Sequence, residues 1–129
     1  MKILIVDDDS ISRKVLRKNL AKYGHCDIAT DGDDALWILE QSLSEDDPYD
    51  LVTMDVNMPN LNGIEALKKI RSLEEKYNIF GLDVAKILMV TASEKKEIVM
   101  NSFKSGCEGY LIKPFDQNQI KKTLKEIFK

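Results

Sequence analysis

The stretch Ile3-Leu4-Ile5-Val6-Asp7-Asp8-Asp9 decides the reading of this chain. Four apolar residues rich in β-branching describe a short strand buried on both faces. The strand runs directly into acids. The pattern recurs at Leu51-Val52-Thr53-Met54-Asp55. If the two strands are neighbours, their terminal carboxylates converge at one sheet edge. Unit charges about 4 Å apart repel by roughly 4 kcal/mol at an effective dielectric near 20. Such a cluster needs a bound cation, a shared proton or a nearby lysine, and each of these marks a site.

Helical periods separate the strands. Ser10 is the expected cap of a first helix whose Ile11, Val15, Leu16, Leu20 and Tyr23 recur at helical spacing, ending at Gly24. A second strand follows around Cys26-Ala29. Asp31 to Asp34 then provide turn and cap chemistry for a helix carrying Ala35, Leu36, Ile38 and Leu39. After the acidic loop Ser44-Pro48 come a strand at 50–54 and a helix with Ile64, Leu67 and Ile70. Ile87-Val90 forms a fourth strand, and Ser93 is the expected cap of a helix that stops at Gly106. Gly109-Ile112 is the fifth strand. Asp116 with Gln119 has the form of a capping box for a last helix lined by Ile120, Leu124 and Ile127. The connection Glu74-Leu82 is longer than the others, and its Ile79-Phe80-Gly81-Leu82 is apolar. It reads as a local cap over the core, with a partner contact as the sharper alternative.

Strands alternating with helices imply a parallel sheet with right-handed crossovers, an α/β/α sandwich in three layers. The 129 residues fit one domain spanning 1–129, with 43% hydrophobic and 32% charged residues. Net charge is −3, which disfavours direct nucleic acid binding. The apolar runs are too short to span a bilayer, and the N-terminus lacks the apolar core of a signal peptide. Cys26 and Cys107 have no metal-ligand spacing and read as reduced, buried thiols. The expected location is the cytoplasm.

Ligand sites in open parallel sheets lie beyond the carboxyl ends of the strands, at the switch in strand order. There the chain places Asp7, Asp8, Asp55, Thr91 and Lys113. Any one of these aspartates is an ordinary turn or cap; the whole set is not. Hard oxygen donors without His or thiolate select Mg2+, with Mn2+ or Ca2+ possible in its place. A carboxylate can also attack phosphorus, giving an aspartyl phosphate. Two acids would hold the metal and the third would attack. Lys113 and Thr91 would then meet the phosphoryl oxygens.

Four motifs now form a recognisable set: Val6-Asp7-Asp8, Met54-Asp55-Val56-Asn57-Met58-Pro59 with Gly63, Val90-Thr91-Ala92, and Gly109-Tyr110-Leu111-Ile112-Lys113-Pro114-Phe115. Together, in this order, they resemble the receiver domain of two-component response regulators over residues 2 to 128. The resemblance implies a flavodoxin-like sheet of order 2-1-3-4-5. It implies Asp55 as phosphoacceptor, Asp8 as direct and Asp7 as largely water-mediated metal ligand, and the Asn57 carbonyl as a further ligand. Lys113 would pair with Asp55 and then with its phosphoryl group, and the peptide bond to Pro114 would be cis. Thr91 and Tyr110 would form the switch. The phosphoryl donor would be a histidine kinase or phosphotransfer protein. The output face would be the fourth helix, fifth strand and fifth helix, which carry Lys95, Lys96, Lys104, Lys121, Lys122 and Lys125. No effector domain is expected beside the receiver. Such a protein is not a conventional enzyme, although it catalyses its own phosphorylation and dephosphorylation. Its downstream target and oligomeric state stay open.

Asp9 reads as a helix-start residue rather than a ligand. Asn57 and Ser93, two positions beyond Asp55 and Thr91, are small and polar and leave water a route to the site. Other readings fit less well. A phosphohydrolase using an aspartyl phosphate wants a second aspartate where Asn57 stands, and a cap domain. A flavin module needs a Ser/Thr/Gly phosphate loop where Asp7-Asp8-Asp9 stands. A non-phosphorylated interaction domain of the same fold would not need every site position filled.

Overall fold

The computed structural model describes residues 1–128. The apolar runs become β1 (Lys2–Val6), β2 (His25–Ala29), β3 (Leu51–Met54), β4 (Lys86–Thr91) and β5 (Gly109–Ile112). Between them lie α1 (Ser10–Leu20), α2 (Gly32–Ser44), α3 (Gly63–Lys76) and α4 (Lys96–Lys104), and α5 (Gln117–Ile127) closes the chain. A single 3-10 turn, Gly81–Asp83, precedes β4. All five strands are parallel in the order β2-β1-β3-β4-β5. This is the flavodoxin-like three-layer sandwich. β1 and β3 are neighbours in register, Ile3 against Leu51 through Val6 against Met54, so the acids after both strands emerge side by side.

Each sheet face has its own core. Ile3, Ile5, Leu51, Leu88, Val90 and Leu111 face α1 and α5, where Leu16, Leu20, Ile120 and Leu124 cover them. Leu4, Val52, Met54, Ile87 and Met89 face the opposite layer, covered by Ala35, Leu39, Ala66, Leu67 and Ile70. Ile5, Leu67 and Ile87 are 0% exposed. Burying each such side chain contributes about 1.5–3 kcal/mol.

The caps agree with the sequence at two helices and differ at two. Asp31 caps α2 by accepting from the Asp34 amide, and Asp116 with Gln119 forms the capping box of α5. At α1 the cap is Asp9, whose carboxylate accepts from the amides of Ile11 and Ser12, and not Ser10. The acid one residue earlier reaches the same free amides and carries the charge that a helix N-terminus favours. Ser93 does not cap α4. That helix begins at Lys96, and its N-cap Lys95 makes no side-chain cap bond; Ser93 Oγ instead accepts from the Lys95 amide at 3.4 Å.

Two apolar expectations also fail. Ile11 and Val15 lie outside the buried face of α1, which is carried by Leu16 and Leu20. Phe80 and Leu82 do not cap the core: they are 59% and 93% exposed.

Arg71 on α3 ties the amino edge of the sheet together. Its guanidinium donates to the carbonyls of Ala85 (2.9 Å) and Gly106 (2.6 Å) and pairs with Glu74 and Glu108. Glu74 in turn accepts from the Ala85 amide and Glu108 from the Ile87 amide, both at 2.8 Å. Burial pushes the Glu108 carboxyl above its usual range, against the pull of the Ile87 amide and Arg71. Among the described residues, no helix is long and apolar enough to cross a membrane.

Candidate functional site

Backbone hydrogen bonds continue the ladder one residue past the strands. The Asp7 amide donates to Ala29 O, the Asp55 amide to Val6 O (both 3.2 Å), and the Lys113 amide to Thr91 O (2.9 Å). These bonds fix where the acidic edge begins. Asp7 and Asp55 are buried, at 1% and 9% exposure, whereas Asp8 is exposed. One carboxylate oxygen from each of Asp7, Asp8 and Asp55 can be chosen so that all three lie within 4.8 Å of one another. The convergence expected from the strand ends is therefore present.

Lys113 supplies the counter-charge. Its Nζ donates to Asp7 Oδ2 at 2.7 Å, to Asp55 Oδ2 at 3.2 Å and to Ser12 Oγ at 3.2 Å. The pairing expected with Asp55 is present, but Asp7 is the nearer partner. Burial alone would draw the ammonium pKa down; the Asp7 hydrogen bond and the charges of Asp55 and Asp7 outweigh it and hold it above the ordinary lysine value. The Lys113-Pro114 peptide is cis, as the resemblance implies.

Loop bonds orient both buried acids. Asp7 Oδ1 accepts from the Asp9 amide (2.9 Å), and Arg13 donates to the Asp7 carbonyl (2.9 Å). Asp55 Oδ1 accepts from the Asn57 amide at 3.1 Å, so Asn57 touches the site through its backbone while its side chain lies in an exposed position. Gly63 makes the Asp55 loop possible. Its amide donates to Val56 O at 2.9 Å, and a Cβ there would stand 2.1 Å from the Asp55 carbonyl oxygen.

Thr91 is fully buried at the end of β4. Tyr110 on β5 is half-buried, and its hydroxyl donates to the Ser93 carbonyl at 2.9 Å. The phenol thus holds the loop that leaves Thr91, and burial raises its pKa. Sequence reasoning missed Ser12 and Arg13 as parts of this site. Their signal was available: both lie in the first turn of the helix that starts beside Asp7.

The donor set is oxygen alone, three carboxylates with no imidazole or thiolate, which suits a hard divalent cation.

Fold and site together define a doubly wound parallel α/β domain with an acid-and-lysine centre where the strand order reverses. The chain belongs to the response regulator receiver domain family, whose family model matches residues 3–125. It is 35% identical over 129 residues to the "Chemotaxis protein CheY homolog" of Campylobacter jejuni, covering 98% of this chain and 92% of the relative. It is 37% identical over 128 residues to "Chemotaxis protein CheY-3" of Vibrio cholerae, covering 99% and 92%. Among solved structures, it resembles the receiver domain of the histidine kinase CKI1 from Arabidopsis thaliana complexed with Mg2+ and BeF3-. That match has a TM-score of 0.85 and 28% identity over 98% of this chain and 89% of the other.

Proposed function

We propose that residues 1–129 form a single receiver domain that takes a phosphoryl group onto Asp55 from a phosphohistidine of a kinase or phosphotransfer partner. The observation that carries this reading is the meeting of Asp7, Asp8 and Asp55 within 4.8 Å, with Lys113 on two of them. An Asp55 carboxylate oxygen bonds to phosphorus as the P–N bond breaks, and the leaving imidazole takes up a proton. Hydrolysis reverses the modification: water attacks phosphorus, the Asp55 carboxylate is regenerated and orthophosphate departs. The domain is in this sense a catalyst of its own modification and not a conventional enzyme.

Asp7, Asp8, Asp55 and the Asn57 carbonyl are the residues that would hold Mg2+. When bound, that ion supplies charge neutralisation for the acids and the phosphoryl oxygens. Lys113 is placed to move its donor bonds from Asp55 to the phosphoryl group. Phosphorylation adds about −1.5 to −2 charges at a fixed point. Thr91 and Lys113 satisfy those oxygens in one arrangement of their loops, so the phosphate selects that conformer. Tyr110 is tethered to the loop after Thr91 and reports the change to the α4-β5-α5 face, where a downstream protein binds. The protein works in the cytoplasm, where a kinase or phosphotransfer partner would meet it.

The test is mass spectrometry after treatment with acetyl phosphate and Mg2+. Wild type should gain one phosphoryl group and Asp55→Asn none. A gain of equal extent in Asp55→Asn rejects the assignment.

A further inference from the structure

The connection from α3 to β4 presents apolar side chains that the core does not take up. Leu82 is 93% and Phe80 59% exposed. The connection is nonetheless built rather than slack. Asn78 and Gly81 adopt left-handed φ values of 58° and 63°. The Ile79 amide donates to Glu74 O at 2.8 Å and the Asp83 amide to Phe80 O at 3.2 Å. Glu74 is itself buried and held by Arg71 and the Ala85 amide, so both ends of the connection are pinned.

Leu82 borders a groove of about 580 Å³, with Ile79, Val84 and Phe128 among its apolar walls. Asp46, Asp50 and Asp83 stand around it, and among the described residues Lys86 is the one cation that lines it. Neither Asp46 nor Asp83 makes an ion pair among the described residues. Contiguous exposed apolar surface with a polar rim marks an interaction site. The sign of the rim selects the occupant: it repels nucleic acid, anionic lipid and acidic proteins, and attracts cationic side chains.

We propose that this groove docks a partner protein through a basic amphipathic segment. A bulky apolar side chain of the partner packs beside Leu82, and its Lys or Arg side chains face Asp46, Asp50 and Asp83. The groove lies at the amino edge of the sheet: Asp50 precedes β3, and Asp55 follows it at the opposite edge. Docking there leaves Asp55 free, and the partner binds the phosphorylated and unphosphorylated protein alike. The proposal therefore stands apart from the phosphoryl-transfer reading.

Panning a random-peptide phage library against the full chain, with counter-selection on Leu82→Ser, tests it. Leu82 is exposed, so that substitution leaves folding intact. Enriched peptides should combine Lys or Arg with Trp, Phe or Leu. A synthetic copy should lose at least about tenfold in affinity for Asp83→Lys, or roughly 1.4 kcal/mol. Acidic peptides, peptides indifferent to both substitutions, or no Leu82-dependent peptide at all would overturn it. So would a wild-type dimer in sedimentation that Leu82→Ser dissolves, because that result assigns the groove to a second copy of the chain.

Discussion

The Nζ of Lys113 lies 2.7 Å from Oδ2 of Asp7, a contact between residues 106 positions apart. Asp7 is 1% exposed, so this ammonium is the nearest counter-charge to a buried carboxylate that stands beside Asp55. Removing one member of a buried pair strands the other and costs about 3–5 kcal/mol. Lys113 itself keeps some solvent contact, which lowers the figure. Lys113→Met is expected to reduce stability by about 2–3 kcal/mol without divalent cation. Millimolar Mg2+ should restore more stability to the variant than it adds to wild type. Urea unfolding with and without Mg2+ measures both; equal Mg2+ effects on the two proteins would argue against a shared role for lysine and metal.

Asp8 is the one acid of the cluster that is exposed, and its carboxylate has no hydrogen bond among the described residues. Its substitution should cost the fold little, within about 0.5 kcal/mol. Asp8→Ala should nevertheless weaken Mg2+ binding at least about tenfold and slow phosphorylation, because one of three converging donors is gone. Calorimetric titration with Mg2+ decides the point. Unchanged affinity would remove Asp8 from the metal set.

Gly63 offers a steric test of how the Asp55 loop is held. An added Cβ would meet the Asp55 carbonyl oxygen at 2.1 Å and the Val56 Cα at 2.9 Å. Both are backbone atoms and cannot rotate away. Gly63→Ala should destabilise the protein by about 2 kcal/mol or more and displace Asp55 from Lys113. Gly81→Ala is the control: nothing lies within 4 Å of its Cβ, and only its φ of 63° is strained. That substitution should cost about 1–2 kcal/mol and leave the acetyl phosphate reaction at the wild-type rate. Equal reaction rates in both variants would contradict the loop argument.

Strand positions and the acidic edge were legible because strands buried on both faces leave uninterrupted apolar runs, and the acid that ends each run lies at the sheet edge. The capping box at Asp116 and Gln119 was legible because its signal is local. Two other caps were not, because Asp9 and Ser10, or Ser93 and Lys95, offer competing starts within a turn. Ile79 to Leu82 show a different limit: apolar composition states a preference for burial, but not whether the layer beneath has room. The Arg71 network was invisible for a third reason. Only its link to Glu74 is local, and its partner Glu108 is 37 positions away. The preference of Lys113 for Asp7 over Asp55 is likewise set by packing of distant segments.

Thr53 in the central strand carries a hydroxyl that is 0% exposed and has no hydrogen-bond partner among the described residues. Its lateral neighbours are Ile5 and Leu88, both aliphatic. An unsatisfied buried hydroxyl costs about 1–3 kcal/mol. Thr53→Val replaces it with a methyl of similar shape and should raise stability by about 1 kcal/mol. The urea midpoint should move up with an unchanged slope. A lower midpoint would mean that the hydroxyl bonds a partner, such as an internal water.

Cys107 provides a pH test that leaves the acidic site untouched. Burial, foremost, and then the charge of Glu108 push its thiol up to about 11 from an ordinary value of 9.0. The unfolded chain therefore forms thiolate at lower pH than the folded one. The stability linked to this group is full below pH 9.0 and is lost between there and about 11. Tyr49 adds a loss in the same direction above pH 10.0, since burial and then its hydrogen bond to Asp27 favour the neutral phenol. Wild type should thus weaken steadily above pH 9, and Cys107→Ala should show a shallower decline up to pH 11 at the expense of a small cavity. At neutral pH the native thiol should react with an aromatic disulfide far more slowly than in urea. Urea midpoints across the alkaline range compare the two proteins, and identical slopes would place the effect on the other groups that burial raises, Tyr49, Tyr110 and Cys26.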